Sequence, residues 1–146
     1  MRESILLVDD NIDNLLVTQI LLESEGFAVR TAEDAPQALD ILATFQPDLI
    51  LMDIQLPGMD GLELTGRLRR NPAFHKLPII ALSAYAMYGD EENALRAGCD
   101  GYITKPIDTR TFVNVVRKYL KERFAPDAGK GEVEPSEEMD RRRSSD

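Results

Sequence analysis

Residues 47–61 read PDLILMDIQLPGMDG, and they give the most direct indication of the fold. It contains an apolar run, Leu49–Met52, that is hydrophobic on both of its alternating faces. Such a run is typical of a parallel strand that is covered by helices on both sides. The run leads directly into an acid, Asp53. Because functional groups of open parallel sheets gather beyond the carboxyl ends of the strands, Asp53 is predicted to lie where a site would form.

The rest of the sequence repeats this pattern of a short apolar run followed by an amphipathic stretch. The other runs are Ile5–Val8, the weaker Ala28–Arg30, Pro78–Leu82 and Gly101–Ile103. Apolar residues recur at helical spacing at Leu15, Leu16, Ile20 and Leu21, at Ala38, Leu39 and Leu42, at Leu62, Leu64 and Leu68, and at Phe112, Val115, Val116, Tyr119 and Leu120. Gly26 and Gly98 mark predicted helix ends, and Asp108 or Thr109 can cap the last helix. We predict an α/β fold, a doubly wound (βα)5 sheet with five parallel strands.

Length and composition limit the classes of protein that fit. With 146 residues, 43% of them hydrophobic and 29% charged, the chain is expected to form one domain with a real core. The single cysteine, Cys99, and the single histidine, His75, exclude an intrachain disulfide and a His/Cys metal site, so any metal must be held by oxygen. The net charge of −9 argues against direct nucleic-acid binding. Without a signal peptide or a long apolar run, the protein is expected to be cytoplasmic and to make no membrane contact.

Residues 125–146 differ in composition from the rest of the chain. They hold seven acids and four bases, and their sizeable apolar side chains are Val133 and Met139. Such a segment has little apolar surface to bury against the entropy cost of ordering it. We predict a folded domain at 1–124 and a disordered acidic and polar tail at 125–146.

Polar residues follow four of the five predicted strands. They are Asp9 and Asp10 after the first strand, Asp53 after the third, Ser83 after the fourth and Lys105 after the fifth. Because the carboxyl ends of parallel strands meet at one edge, these side chains are predicted to lie together. Taken alone, the two acids after the first strand could be a solvated turn that caps a helix, and the serine could be a cap or a turn. Their combination favours a site.

Three carboxylates in one place need a compensating positive charge. Two like charges about 4 Å apart cost on the order of 4 kcal/mol at an effective dielectric of roughly 20. Lys105 supplies one positive charge, and Mg²⁺ fits the oxygen ligands best. A magnesium ion, an ammonium and a hydroxyl can together stabilise a phosphoryl group in its transition state. The sequence therefore predicts phosphoryl transfer to a carboxylate.

At these positions the sequence resembles the receiver domains of two-component response regulators, which have the CheY-like fold with flavodoxin-like topology. The resemblance covers residues 5–120. Its motifs are the acidic pair Asp9-Asp10, Asp53 in LILMDIQLPGMDG, Ser83 in ALSAYA and Lys105 in YITKP. The stretches PDLILMDIQLP and GDEENALRAGCDGYITKPI are most similar to stand-alone receivers of the DivK type and to the receivers of hybrid histidine kinases.

The resemblance implies a phosphoacceptor and a set of metal ligands. Asp53 would take a phosphoryl group from a phosphohistidine on a histidine kinase or a histidine phosphotransfer protein. Asp10 would bind Mg²⁺ directly, and Asp9 would bind it directly or through water. Asp53 itself and the backbone carbonyl of Gln55 would complete the ligands from the protein.

The resemblance also implies residues that respond to the phosphate. Ser83 would hydrogen-bond the phosphoryl group, and Lys105 would pair with it. Tyr102 would act as a rotamer switch, although an aromatic residue on a short apolar strand is more often a core residue. The Lys105–Pro106 peptide bond is cis in many members. The surface that changes is expected to include Met87 and Tyr88 and to be built from residues 88–97, 101–103 and 109–123.

These inferences imply a single-domain response regulator of a two-component or phosphorelay system. Phosphorylation of Asp53 would switch its interaction with a downstream protein, so the chain would be a phosphoacceptor and not an enzyme. Three alternatives stay open. A haloacid-dehalogenase-type phosphatase would need an acid where this chain has Gln55, and a flavodoxin-like FMN carrier would need a phosphate loop where it has two acids. A receiver-like interaction module that is never phosphorylated would share the fold, and the complete site argues against it.

Overall fold

A computed structural model describes residues 3–83, 90–105 and 108–123. Within these ranges strands and helices alternate along the chain, in the order β1 (Ser4–Val8), α1 (Ile12–Ser24), β2 (Ala28–Ala32), α2 (Ala35–Leu42), β3 (Leu49–Asp53), α3 (Gly61–Arg69), a short 3-10 helix (Pro72–Phe74), β4 (Ile79–Ser83), α4 (Asp90–Ala97), β5 (Gly101–Thr104) and α5 (Thr109–Arg123). None of the helices in these ranges combines the length and hydrophobicity that a membrane crossing requires. The predicted tail at 125–146, Pro106, Met87 and Tyr88 lie outside the described residues.

The strands form one parallel sheet in the order β2-β1-β3-β4-β5, counting the described ranges only. This confirms the predicted α/β fold and its doubly wound (βα)5 topology. The chain first adds β2 on one side of β1 and then adds the remaining strands on the other side. The strand order therefore reverses at β1 and β3, and the crevice beyond their carboxyl ends is where such sheets place their sites.

Helices cover both faces of the sheet, which is why β3 and β4 are apolar up to their last residues, Asp53 and Ser83. Leu6 and Ile50 belong to the core beneath α2, α3 and α4. Ile5 and Leu49, one residue earlier in each strand, belong to the core beneath α1 and α5. The edge strand β2 is only partly covered, which explains its weaker apolar run.

The helix ends lie where the sequence placed them. Gly26 and Gly98 have positive φ angles of 97° and 116° at the ends of α1 and α4, a conformation that glycine adopts without steric cost. Of the two predicted caps for α5, the structure shows Asp108. Its carboxylate accepts the Arg110 N–H at 3.0 Å, and its carbonyl accepts the Phe112 N–H at 2.8 Å.

Helix α1 forms as predicted, but its apolar residues do not all face the core. Leu15 and Leu22 are buried, at 5% and 0% exposure. Leu21 packs partly buried against the same core. Four further apolar side chains of the helix are exposed, three of them at i, i+4 and i+8 spacing, and form the α1 stripe: Ile12 (56% exposed), Leu16 (52%) and Ile20 (66%), with Val17 (63%) beside them. Contiguous exposed apolar surfaces larger than a few hundred Å² are typical of interaction sites.

Candidate functional site

The polar residues predicted to meet do so at the carboxyl ends of β1, β3, β4 and β5. Asp9 follows β1, and Lys105 follows β5. Asp53 and Ser83 are the last residues of β3 and β4, one position further inside the strands than the sequence suggested. Pairing within the sheet therefore fixes the backbone positions of Asp53 and Ser83, and Asp53 is paired with Leu82 of the neighbouring strand.

The acids Asp9, Asp10 and Asp53 form a compact triad. Each offers a carboxylate oxygen, and these oxygens all lie within 4.8 Å of one another. Asp9 and Asp53 are buried, at 2% and 5% exposure, whereas Asp10 is exposed. The triad is therefore open to solvent on the side of Asp10.

Lys105 bridges the two buried acids. Its Nζ donates to Asp9 Oδ2 and to Asp53 Oδ2, both at 2.9 Å. Burial lowers the pKa of the Lys105 ammonium, but the hydrogen bonds and charges of Asp9 and Asp53 together outweigh this effect and raise the pKa above its usual value. Lys105 thus carries a full positive charge at neutral pH.

Asp53 is held by both of its carboxylate oxygens. Oδ1 accepts the backbone N–H of Gln55 at 2.8 Å, and Oδ2 accepts from Lys105. Burial raises the pKa of Asp53, and the charge of Asp9 adds to this, while the bonds from Gln55 and Lys105 oppose it. Because the net pKa is raised, the carboxylate is incompletely stabilised by the protein alone.

The donor set fits Mg²⁺. Three carboxylates and one ammonium leave two negative charges, and magnesium prefers carboxylate oxygens with open positions for water. Asp10 and Gln55 also line a cleft of about 580 Å³ beside the triad, which leaves room for water and for a phosphoryl group. The side chain of Gln55 is exposed, and the backbone carbonyl of this residue, the ligand that the resemblance implies, stays a prediction.

Ser83 and Tyr102 lie on the same face of the sheet. Ser83 is fully buried, and its carbonyl accepts the Lys105 N–H at 2.7 Å. Tyr102 pairs with Ala81, which precedes Ser83 by two residues and therefore points to the same face. Tyr102 is half-buried and packs against the core beneath α2, α3 and α4. It is thus a core aromatic on the face of the sheet that carries Ser83.

The sequence matches the response regulator receiver domain over residues 5–117. The chain belongs to this receiver family. This chain is 40% identical over 120 residues to the polar-differentiation response regulator DivK of Brucella anthropi, and the match covers 82% of this chain and 98% of that protein.

Solved structures agree with this assignment. A putative response regulator from Chloroflexus aurantiacus matches this receiver domain with a TM-score of 0.80 and 30% identity, covering 83% of this chain and 99% of that one. The receiver domain of a sensor histidine kinase from Pseudomonas aeruginosa matches with a TM-score of 0.76 and 36% identity at the same coverage, and holds a magnesium ion in its active site cleft. The protein is thus a phosphoacceptor signalling protein rather than a phosphatase. Membership of the family implies that its phosphodonor is a histidine kinase. Its acidic triad is suited to Mg²⁺.

Two residues at the site escaped the sequence interpretation. The cap of α1 is Asn11, whose side chain accepts the Asn14 N–H at 3.0 Å, and not the acidic pair before it. The Asn11 N–H in turn donates to Asp9 Oδ1 at 2.9 Å and orients that carboxylate. The signal was available, because asparagine is among the residues most favoured as N-caps.

Gly61 lets the start of α3 approach the backbone at the end of β3. Its N–H donates to the Ile54 carbonyl at 3.0 Å, and a Cβ here would collide with the Asp53 carbonyl oxygen and lie 2.7 Å from Ile54 Cα. We expect Gly61→Ala to destabilise the fold by about 1–3 kcal/mol because backbone cannot yield to a methyl group. Gly66→Ala is the matched control, since the same helix offers open space there. Urea unfolding should show Gly66→Ala stabilised by about 0.5–1 kcal/mol, and equal effects at both sites would contradict the close approach.

Asp10 is expected to contribute mainly to metal affinity, because it is the exposed member of the triad. Asp10→Asn should weaken Mg²⁺ binding by about tenfold or more. The variant loses one charge–charge contact with the ion, and a loss of roughly 1.4 kcal/mol of binding free energy lowers the affinity tenfold. Titration calorimetry with Mg²⁺ measures this directly. Asp13→Asn, an exposed acid in the first turn of α1, is the control and should bind like the wild type.

Proposed function

We propose that Asp53 accepts a phosphoryl group from a histidine kinase or a histidine phosphotransfer protein, and that this phosphorylation switches binding to a downstream protein. The observation that carries the proposal is the Lys105 ammonium at 2.9 Å from both Asp9 and Asp53 within an acidic triad. The exchange takes place in the cytoplasm, as is typical of receiver domains.

The chemistry follows from the partners of Asp53. An ionised carboxylate oxygen attacks phosphorus, an O–P bond forms, the P–N bond to the imidazole of the donor breaks, and the imidazole leaves with the electron pair of that bond. Bound Mg²⁺ supplies positive charge for the phosphoryl oxygens. Asp9, Asp10, Asp53 and the carbonyl of Gln55 would hold it. Lys105 pairs with the phosphoryl oxygens, and Ser83 donates to them from the adjacent strand end.

The α1 stripe supports a helical donor that docks beside the site. The stripe begins at Ile12, two residues beyond Asp10, and runs along the exposed side of the helix. Apolar residues at four-residue spacing form a ridge that packs into the groove of another helix. A donor that covers this ridge would bring its phosphohistidine to the open side of the triad.

The same proposal includes Tyr102 as the element that converts the phosphate into a change of surface. Phosphorylation adds negative charge and acceptor oxygens at Asp53. If Ser83 moves toward the phosphoryl group, Tyr102 on the same face can turn inward and fill the vacated space. The phosphate shifts the population between two packings only by its differential interaction with them.

Ser83→Ala and Tyr102→Ala are expected to accept phosphate on Asp53 while changing the response of the surface. Amide chemical shifts with and without beryllofluoride, a phosphoryl mimic, measure that response. The wild type should show changes at Tyr102 and along α5, and Tyr102→Ala should confine them to the site. Changes that never extend beyond the site in the wild type would favour a passive phosphate carrier instead.

The test of the proposed function is transfer of labelled phosphate from an autophosphorylated histidine kinase. We expect the protein to become labelled with Mg²⁺, to lose the label in base as an acyl phosphate does, and to remain unlabelled in EDTA. We also place the activity within residues 1–124, so a chain truncated after residue 124 should be labelled equally. Undiminished labelling in EDTA would overturn the proposal.

A further inference from the structure

A dense polar cluster lies at the end of the sheet opposite the acidic triad. Its centre is Arg69, the last residue of α3, whose side chain is 17% exposed. The contacts of its guanidinium form what we name the Arg69 clamp: Nε to the carbonyl of Gly98 at 2.8 Å, Nη1 to the carbonyls of Phe74 (3.0 Å), His75 (3.1 Å) and Leu77 (2.7 Å), and Nη2 to Asp100 Oδ2 at 2.7 Å.

Asp100 extends the clamp to the first residue of β4. The carboxylate oxygen that accepts from Arg69 also accepts the Ile79 N–H at 2.9 Å. The Asp100 N–H returns a bond to the Ile79 carbonyl at 2.7 Å. Arg69 therefore joins the end of α3 to the end of α4 and to the amino ends of β4 and β5.

The chain is built around this arginine. Gly98 has a φ of 116°, and a Cβ at this position would lie 2.7 Å from Arg69 Cγ. The stem of Arg69 therefore passes directly over the glycine that ends α4. The planar guanidinium presents donors in fixed directions, which allows one side chain to reach five acceptors, whereas a lysine ammonium has three donors and no fork.

The strands held by the clamp carry responsive residues at their other ends. β5 begins at Gly101, directly after Asp100, and it ends at Thr104, directly before Lys105. β4 begins at Ile79 and ends at Ser83. Each strand is thus tied at its amino end by the clamp, while its carboxyl end borders the acidic triad.

We propose that Arg69 is a positioning residue of the switch. It fixes the amino ends of β4 and β5, so that a change at Asp53 appears toward their carboxyl ends instead of displacing whole strands. Tightly packed elements respond by discrete local rearrangement, and a fixed end determines where that rearrangement occurs. This inference rests on the proposed function of Asp53 and adds a residue at the far end of the sheet.

Amide chemical shifts with and without Mg²⁺ and beryllofluoride test the clamp in the full chain. In the wild type we expect the amides of Gln55 and Lys105 to shift and those of Ile79 and Asp100 to stay in place. In Arg69→Lys the amides of Ile79 and Asp100 should shift as much as that of Lys105. Arg70→Lys, at an exposed neighbouring position, is the matched control and should behave like the wild type.

A second variant and a separate assay keep the outcomes distinct. Asp100→Asn keeps an acceptor for Ile79 but loses the charge that pairs with Arg69, so the same amides should respond by a smaller amount. Label uptake by both variants should match the wild type. The role of the clamp would be overturned, and the proposed function left standing, by either of two results. One is that the amides of Ile79 and Asp100 shift with beryllofluoride in the wild type, and the other is that they do not shift in a folded Arg69→Lys. Absence of any response at Gln55 and Lys105 in the wild type would overturn the proposed function and the clamp with it.

Discussion

Asp53→Asn is expected to abolish phosphoryl uptake completely. The amide that replaces the carboxylate has no anionic oxygen to attack phosphorus, and the triad loses one of its negative charges for Mg²⁺. The amide oxygen of asparagine can still accept from Lys105, but the bond from the Gln55 N–H to the other carboxylate oxygen is lost because an amide nitrogen does not accept. Uptake is measured with labelled kinase or acetyl phosphate, with Mg²⁺ present in every sample.

Asp13→Asn is the matched control for this variant, because it removes an exposed acid near the site that lies outside the triad. It should be labelled like the wild type. Mapping of the labelled peptide should place the phosphate on Asp53 in both the wild type and the control. Label retained by Asp53→Asn, on Asp10 or on any other residue, would show that the phosphoacceptor has been assigned wrongly.

Asp53→Asn should also be more stable than the wild type in metal-free buffer at neutral pH. The pKa of Asp53 is raised above its ordinary 3.8, chiefly by burial. The stability contributed by its neutral form is therefore present below pH 3.8 and is lost as the pH rises through the raised pKa. The stabilities of variant and wild type should converge in acid and separate toward neutrality. Urea unfolding across this pH range measures the difference, and a variant that is less stable at pH 7 would contradict it.

The fold and the members of the site could be predicted because parallel sheets leave two strong signals in a sequence. Buried strands such as Leu49–Asp53 are apolar on both faces, which distinguishes them from half-exposed strands. Their carboxyl ends converge, so residues as far apart in sequence as Asp9 and Lys105 are predicted to meet, and in the structure they lie 2.9 Å apart.

The exposed apolar residues of α1 and the contacts of Arg69 could not be predicted, because both depend on which parts of the folded chain lie next to each other. Helical spacing shows which side chains share a face and not whether that face is covered, so it groups the exposed Leu16 and Ile20 with the buried Leu15. The contacts of Arg69 are mostly to backbone carbonyls, and a carbonyl is present at every residue. Only the folded path of the chain shows which carbonyls converge on one guanidinium.

Lys105→Met is expected to lower the free energy of unfolding by about 3–5 kcal/mol in metal-free buffer, because removing one partner leaves buried charges unpaired. Methionine keeps most of the apolar stem, so the loss reports on the ammonium. Asp9 and Asp53 would then face each other with side-chain exposures of 3% and 8%. Mg²⁺ should recover part of the loss by supplying positive charge at the same oxygens, and acid should recover part by protonating them.

Urea unfolding with and without Mg²⁺ measures both effects, and Lys121→Met, at an exposed position on α5, is the matched control. The control should change the stability by less than about 1 kcal/mol, as exposed charges do. An equally small effect for Lys105→Met would mean that the buried acids are neutralised without this ammonium. A large loss that Mg²⁺ does not reduce would mean that the lysine acts through packing, because a divalent cation replaces its charge but not its side chain.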